Sequence, residues 1–298
     1  MKRFFLAFGV GAVVGIAAYV PATKLSLLDI APPKEAPVRV LFVGDIMLDR
    51  NVYRSAKSEG VEALFSTSTR LLFADSDIRV ANLEGAITDK SSIAIVNNKI
   101  LHFPFDPIIA HIALQFLNIT AVSLANNHSL DFGASGYKST TDYLDSWGVL
   151  PFGNPYNASS SVSTIISVRG KVFCFVGYHA LYNPDVALIV DEVQKLRLSC
   201  YRIVVFAHWG EEYQERSNAA QQEAAREFID AGADMVVGAH PHVVQEYEVY
   251  KNKAIFYSLG NFMFDQNFSW GVTHGLALRA DFYEAQTRFT LTPVSIIQ

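Results

Sequence analysis

Aspartate, glutamate, asparagine and histidine recur in this chain just after short apolar runs, and that mixture is the donor set of a divalent-metal centre. Val38–Val43 runs into Gly44-Asp45, and Ile78–Ala81 into Asn82-Leu83-Glu84-Gly85. Ile119–Leu124 leads to Ala125-Asn126-Asn127-His128, Arg202–Ala207 to His208-Trp209-Gly210, and Met235–Val237 to Gly238-Ala239-His240-Pro241-His242. Ala254–Leu259 leads to Gly260-Asn261. Singly, each site has a blander reading. An Asp after a strand usually caps a helix, as Asp49 is expected to do for a helix starting near Asn51. Asn82 or Asn127 alone reads as a turn residue. The pair His240 and His242 is stronger, because His-x-His at a strand end can aim two imidazoles into one cleft. The recurrence of Asp, Glu, Asn and His at successive run ends carries the argument. Carboxylate with imidazole suits Mn, Fe or Zn better than Ca or Mg, and the lack of Cys in these turns argues against a structural zinc knot.

Those residues need elements that bring them together. Apolar runs of this length without alternation suit strands buried on both faces, and Val172–Val176 is a further one. Between the runs lie amphipathic stretches, Pro107–Leu117, Tyr137–Ser146, Ala187–Leu198 and Ala219–Ala231. Strands alternating with helices predict βαβ units, whose sites form beyond the carboxyl ends of the strands. These turns should therefore face one crevice. Asn82, Asn126, Asn154 and Asn261 are weaker candidates for lining it as substrate contacts, with turn roles equally open for Asn154 and Asn261. The tail changes to alternating segments, Gly275–Phe282 and Thr287–Pro293, which predict an antiparallel pair at the end of a sheet.

The chain has 298 residues, 50% hydrophobic, and a formal net charge of −5. That length can bury a large core. With no Lys/Arg cluster after the first three residues, a nucleic-acid partner is not expected, because phosphate neutralisation needs a basic stripe. Residues 1–22 are a different material: Lys2 and Arg3 precede an uncharged, mostly apolar run from Phe4 to Val20. A positive n-region before such a run drives membrane targeting. We expect an uncleaved single-pass anchor with an extracytoplasmic domain, a cleaved signal for a secreted or periplasmic protein being the alternative. Residues 23–37, ending Ala31-Pro32-Pro33-Lys34-Glu35-Ala36-Pro37, read as a stiff Pro-rich linker, and residues 38–298 as the folded domain. Cys174 and Cys200 are expected as buried thiols acting as small hydrophobes, although a disulfide outside the cytoplasm is chemically open to them.

The turns quoted above, together with Gly44-Asp45-Ile46-Met47-Leu48, Leu130-Asp131-Phe132-Gly133 and Ser258-Leu259-Gly260-Asn261-Phe262, resemble the CapA family. These are capsule-synthesis, poly-γ-glutamate-associated proteins, also called PgsA-like. The order and spacing match from residue 38 to about 265. The family is in turn similar to the calcineurin-like metallophosphoesterases, which implies an α/β fold: a four-layer αββα sandwich of two mixed sheets. By that resemblance Asp45 is the first metal-binding Asp, Glu84 stands where the bridging Asp would be, and Asn127 and His128 match the Asn-His pair. Asn127 would then bind metal while His128 serves as general acid. His208, His240 and His242 correspond to the remaining histidine ligands. In a phosphoesterase such metals clamp phosphoryl oxygens and generate hydroxide for in-line attack.

The sequence departs from that pattern in two places. Met47 occupies the His position of Asp-x-His, and the bridging Asp is a Glu. One site is left with Asp45, Glu84 and His242, the other with Glu84, Asn127, His208 and His240, so one or two ions are expected. The resemblance implies work on an anionic extracellular polymer beside a membrane-bound synthase. In one reading the chain is a metal-dependent hydrolase of a phosphoester or a polymer amide. In the other it is a non-catalytic accessory or polymer-binding subunit with a degenerate metal site.

Overall fold

A computed structural model describes residues 35–92, 101–158 and 161–295. The expected anchor, residues 1–22, and the linker as far as residue 34 lie outside the described residues. Among the described residues no helix is long and apolar enough to cross a bilayer.

The first sheet contains β1 (Val38–Ile46), β2 (Ile78–Leu83), β5 (Ala121–Ser123), β6 (Leu150–Phe152), β13 (Asn261–Met263), β14 (His274–Phe282) and β15 (Thr287–Ser295). The second contains β7 (Ser163–Val168), β8 (Lys171–His179), β9 (Arg202–His208), β10 (Met235–Ala239), β11 (Tyr247–Tyr250) and β12 (Lys253–Phe256), and a small pair joins β3 (Ala86–Ile87) to β4 (Pro104–Phe105). The first sheet runs β15-β14-β1-β2-β5-β6 with β13 also paired to β1, the second β11-β12-β10-β9-β8-β7. Both are mixed: parallel centres carry antiparallel edges, and the predicted tail pair is β14 against β15.

The uninterrupted apolar runs have a direct structural cause. Alternate side chains of a strand point to opposite faces, and here each face meets a different core. Leu41 and Val43 pack with Val52, Ile109 and Leu144, from α1 (Arg50–Glu59), α3 (Pro107–Phe116) and α4 (Gly133–Trp147). Val40 and Phe42 pack instead with Phe175, Val204 and Phe206 of the second sheet. The second sheet repeats the rule: Cys174, Val176, Ile203 and Val205 turn outward to Ile189 of α5 (Ala187–Leu196) and Phe228 of α6 (Ala219–Ala231). Three cores between four layers make the αββα sandwich. A further helix, α2 (Thr67–Ala74), adds Phe73 to the first core.

Local signals explain where the helices begin. Asp106 accepts from the backbone N–H of Ile108 and Ile109 ahead of Pro107, and Asn218 with Gln221 forms a capping box on α6. Asp49 corrects its expectation. It occupies the N-cap position of α1, but its side chain makes no cap hydrogen bond; it is buried and accepts from Ser92 Oγ instead. The predicted run Ala254–Leu259 also ends early, at Phe256. Beyond it the chain crosses between sheets, with Leu259 N donating to Gly238 O at 3.0 Å and Leu259 O accepting from Leu276 N at 2.8 Å. That crossing brings Gly260 against β1 so closely that a Cβ on Gly44 would lie 1.8 Å from the Gly260 carbonyl oxygen.

The expectation of free thiols is overturned. Cys174 and Cys200 form a disulfide, with Cα atoms 6.0 Å apart. It ties the outer face of β8 to the turn before β9, inside the core that also holds Ile203 and Phe228. Burial, the ground for reading them as small hydrophobes, is correct for both and does not distinguish a thiol from a half-cystine. Replacing both cysteines by serine should cost roughly 2–4 kcal/mol of stability, and reductant should shift the melting curve of the wild type and leave that of the double variant in place.

Candidate metal centre

Strand register sets the centre. In the first sheet Asp45 lies level with Asn82 on one side and Asn261 on the other, and Asn82 is level with Ser123. In the second, His208 is level with His179 and with Ala239, the residue before His240. The polar row therefore continues across both sheets at their carboxyl ends, as the βαβ reading requires.

Asp45 and Glu84 are buried together, 0% and 1% exposed. His242 bridges them, with Nδ1 3.3 Å from Asp45 Oδ2 and Nε2 3.7 Å from Glu84 Oε1. His242 Nδ1 also lies 2.9 Å from Asn261 Oδ1. A ring nitrogen facing an amide oxygen and a carboxylate is the protonated one, which leaves the Nε2 lone pair toward Glu84. His208 Nε2 approaches Asn127 Oδ1 at 2.8 Å, and the His208 and His240 rings are 4.7 Å apart. His128 stands at the rim, with Nε2 4.0 Å from Glu84 Oε1 and Nδ1 3.0 Å from Asp131 Oδ2. Asp45, Glu84, Asn127, His128, His208, His240 and His242 are thus gathered around one crater. His240 and His242 reach it through left-handed backbone, φ 95° and 59°, a conformation that non-glycine residues adopt at a cost and that clusters at functional sites.

The asparagines take other positions than the mouth. Asn82 and Asn126 are completely buried beneath the carboxylates. Asn82 Nδ2 lies 2.8 Å from Asp45 Oδ1 and 3.2 Å from Glu84 Oε2, and Asn82 Oδ1 accepts from Asn126 Nδ2 at 2.9 Å. They hold the carboxylates in place from behind. Asn261 orients His242, while Asn154 uses its Oδ1 to accept from Tyr156 N and Ala158 N in a turn. Met47 is buried in the first core, and its Sδ receives the Asp49 N–H at 3.1 Å.

Some residues of the neighbourhood escaped sequence reasoning. Glu212 can join His240 and His242 as a set of cation ligands; its signal was the acidic pair directly after His208-Trp209-Gly210. Asp131 fixes the His128 tautomer, and it lay unused in the quoted Leu130-Asp131-Phe132-Gly133. His179 is fully buried at the end of β8, with Nδ1 2.7 Å from Pro155 O. No local motif marks it, since only strand pairing sets it beside His208.

The electrostatics fit a cation. Burial, then the Asp45 charge, pushes Glu84 well above the ordinary carboxylate range. Burial also opposes ionisation of Asp45, but His242, Asn82 and the His240 N–H outweigh it and hold Asp45 low. Burial and the neighbouring imidazoles keep His208 far below the usual histidine value, and His240 is lowered to about 4 by burial first and His242 second. Glu84 Oε1 and His240 Nδ1 are buried without a hydrogen-bond partner among the described residues, an arrangement that is costly unless something electropositive fills it. Asp45, Glu84 and His242 offer ligand atoms within 4.8 Å of one another. Two carboxylates with neutral imidazoles form a donor set that fits a divalent transition ion.

Residues 39–266 match the family described as Bacterial capsule synthesis protein PGA_cap. The chain belongs to this family. Among its relatives, the PGA biosynthesis protein CapA of Bacillus subtilis is 29% identical, the alignment covering 99% of this chain and 81% of that one. The capsule biosynthesis protein CapA of Bacillus anthracis is 30% identical over 90% of this chain and 69% of its own. A solved phosphatase from Mycoplasma pneumoniae shares the fold, with TM-score 0.52 at 9% identity over 87% of this PGA_cap chain and 94% of that protein. The fold is thus metallophosphoesterase-like, and identity that low speaks to architecture alone.

A buried carboxylate forced toward protonation makes a stability statement. Because the folded value for Glu84 lies above the unfolded one, the metal-free chain loses stability as pH rises from the carboxylate range through that value. His240 acts oppositely, and its contribution is lost as pH falls from 6.5 through about 4. Glu84→Gln should therefore raise the melting temperature of metal-free protein at neutral pH, by about 2–4 °C for each 1 kcal/mol gained, while it weakens metal uptake. Calorimetry of metal-free and metal-loaded samples checks both signs.

Proposed function

We propose that this chain acts in capsule or poly-γ-glutamate synthesis as a membrane-tethered, extracytoplasmic, metal-dependent hydrolase. The observation that carries the hydrolase reading is the pair of buried ligand atoms, Glu84 Oε1 and His240 Nδ1, without a hydrogen-bond partner among the described residues, inside a ring of carboxylate and imidazole. Asp45, Glu84 and His242 would hold one ion, and Glu84, Asn127, His208 and His240 a second. A Mn, Fe or Zn ion there supplies Lewis acidity that polarises an ester or amide oxygen.

The protein's own residues do the rest. Asp131 receives the Nδ1 proton of His128 and so presents Nε2 toward the centre, where a protonated imidazole can deliver its proton to a leaving oxygen or nitrogen as general acid. Asn82 donates to Asp45 and Glu84 from below and prevents either carboxylate from rotating away. The depressed proton affinity of His208 and His240 keeps both imidazoles neutral, as ligation requires.

The extracytoplasmic location is supported by the Cys174–Cys200 disulfide, since such bonds persist in oxidising compartments. The apolar run behind Lys2 and Arg3 supports the tether. An anionic polymer is the substrate favoured by the relatives' names, with synthase subunits as the accompanying partners. One observation favours the alternative, a non-catalytic accessory that binds polymer: Met47 stands where an Asp-x-His pattern has its ligand, and its sulfur is engaged with Asp49 N.

The purified full chain should carry near-stoichiometric Mn, Fe or Zn by elemental analysis, and His208→Ala and His240→Ala should each lose most of it. His128→Ala should keep the metal and lose about 100-fold or more in hydrolysis of a phosphoester or γ-linked glutamate oligomer. Metal-loaded wild type that hydrolyses neither would leave the accessory reading. A chain that takes up no metal on reloading would dispose of the metalloenzyme altogether.

A further inference from the structure

Arg50 was not among the residues singled out by motif, yet it places a cation beside the rim of the centre. It follows Asp49 at the start of α1 and has left-handed backbone, φ 54°. Its guanidinium lies 5.1 Å from the Phe103 ring and 5.5 Å from the Phe264 ring. Those same two rings pack on the working imidazoles, Phe103 on His128 at 4.2 Å and Phe264 on His242 at 4.8 Å. The order His128, Phe103, Arg50, Phe264, His242 forms an arc beside Glu84. Tyr213, whose ring is 6.0 Å from His242, shows how near the charge is: burial and Glu212 push its phenol up to about 12, and Arg50 pulls against them.

One edge of the guanidinium is ion-paired with Asp265. Asn51 N donates to the other oxygen of Asp265 at 3.2 Å, so the carboxylate is fixed independently of Arg50. The side chain keeps 23% exposure, while its Nε is buried without a hydrogen-bond partner among the described residues. A guanidinium clamped by two aromatic faces and paired through Nη2 with one carboxylate keeps its remaining Nη N–H groups as donors for a carboxylate or phosphate. The surroundings require such a group. Asp45, Glu84, Asp131, Glu212 and Asp265 all carry acidic side chains here, and an anionic substrate approaching them needs a fixed positive partner beyond any ion in the crater.

We propose that Arg50 is the anion-recognising residue of this centre, receiving a substrate carboxylate or phosphate at the rim while the bond to be broken faces His128. This deepens the reading of the site given above and rests on it for the reaction.

The test uses the full chain loaded with Mn, in wild type, Arg50→Met, Arg50→Lys and Asp265→Asn forms. Binding of inorganic phosphate and of a γ-linked glutamate oligomer is measured by calorimetry, with metal content and melting temperature recorded beside it. Met keeps an unbranched stem and the same backbone strain but carries no charge and no N–H donor. We expect Arg50→Met to weaken binding about tenfold or more with metal content unchanged, and Arg50→Lys to recover only part, because an ammonium is a point charge without the fork. Asp265→Asn should stay within a few-fold of wild type. Loss with phosphate alone identifies a phosphoester, loss with the oligomer alone a carboxylate polymer, and either supports the assignment. Equal binding by wild type and Arg50→Met overturns it, as does a metal-loaded wild type that binds neither probe or an Asp265→Asn variant that reproduces the whole loss. Metal content separates the two readings: absent metal defeats the hydrolase, while full metal with an indifferent Arg50→Met defeats the clamp alone.

Discussion

Two carboxylates buried side by side at the ends of neighbouring strands are the constraint around which this molecule is organised. Asp45 and Glu84 are excluded from water, and like charges so placed cannot both ionise without compensation. The fold answers with asymmetry. Asp45 receives Asn82, His242 and the His240 backbone, and stays ionised. Glu84 keeps one oxygen without a hydrogen-bond partner among the described residues and is driven toward the protonated form. A pair of carboxylates pushed apart in this way suits either acid–base division of labour or a shared cation. The surrounding neutral imidazoles favour the cation.

The architecture can be understood as the means of holding that pair. Strand ends are rigid because both faces of β1, β2, β9 and β10 are packed, each against a different core. The inter-sheet core, with Phe42 against Phe175 and Phe206 at 6.2 and 6.5 Å, fixes the spacing between the sheets and hence between Asp45 and His208. Behind the ligands the Asn126–Asn82 pair satisfies buried polar atoms and restrains both carboxylates. Polar groups in such a place stabilise only when fully paired. The atoms left open, on Glu84 and His240, stand out for that reason.

Family membership and fold reach different depths. The PGA_cap match spans the strand-end cluster from Asp45 to Asn261 and assigns the chain to that family, whereas the phosphatase neighbour contributes only the sandwich. What the centre does follows from its own side chains. By the resemblance Met47 stands where the phosphoesterase pattern has an imidazole and Glu84 where it has an Asp, one methylene shorter, and Glu212 can join His240 and His242 as a set of cation ligands.

Much of this was legible in the chain itself. Unbroken apolar runs such as Val38–Val43 announce strands buried on both faces, because a half-exposed strand would alternate, and a polar residue ending run after run announces a shared edge. Asp45, Glu84, His208, His240 and His242 were therefore nameable without coordinates. The run ending at Leu259 was misjudged, since an apolar stretch does not say when a chain leaves one sheet for another. Cys174 and Cys200 were read as thiols because pairing depends on a Cα separation that no spacing of 26 residues reveals. Asn82 and Asn126 could be listed as polar and near, but whether an amide faces substrate or supports a carboxylate from below is set by strand register. His179, Asp131 and Arg50 carry no motif of their own; the first two acquire meaning from His208 beside one strand and His128 over one turn, and Arg50 from two aromatic rings brought from distant segments. Composition and periodicity thus determine which residues are buried, in which elements, and at which end the chemistry collects, because those depend on short-range pattern. Which atom meets which, and which is left without a partner, was decided by tertiary packing, because those distances arise between residues tens to hundreds of positions apart.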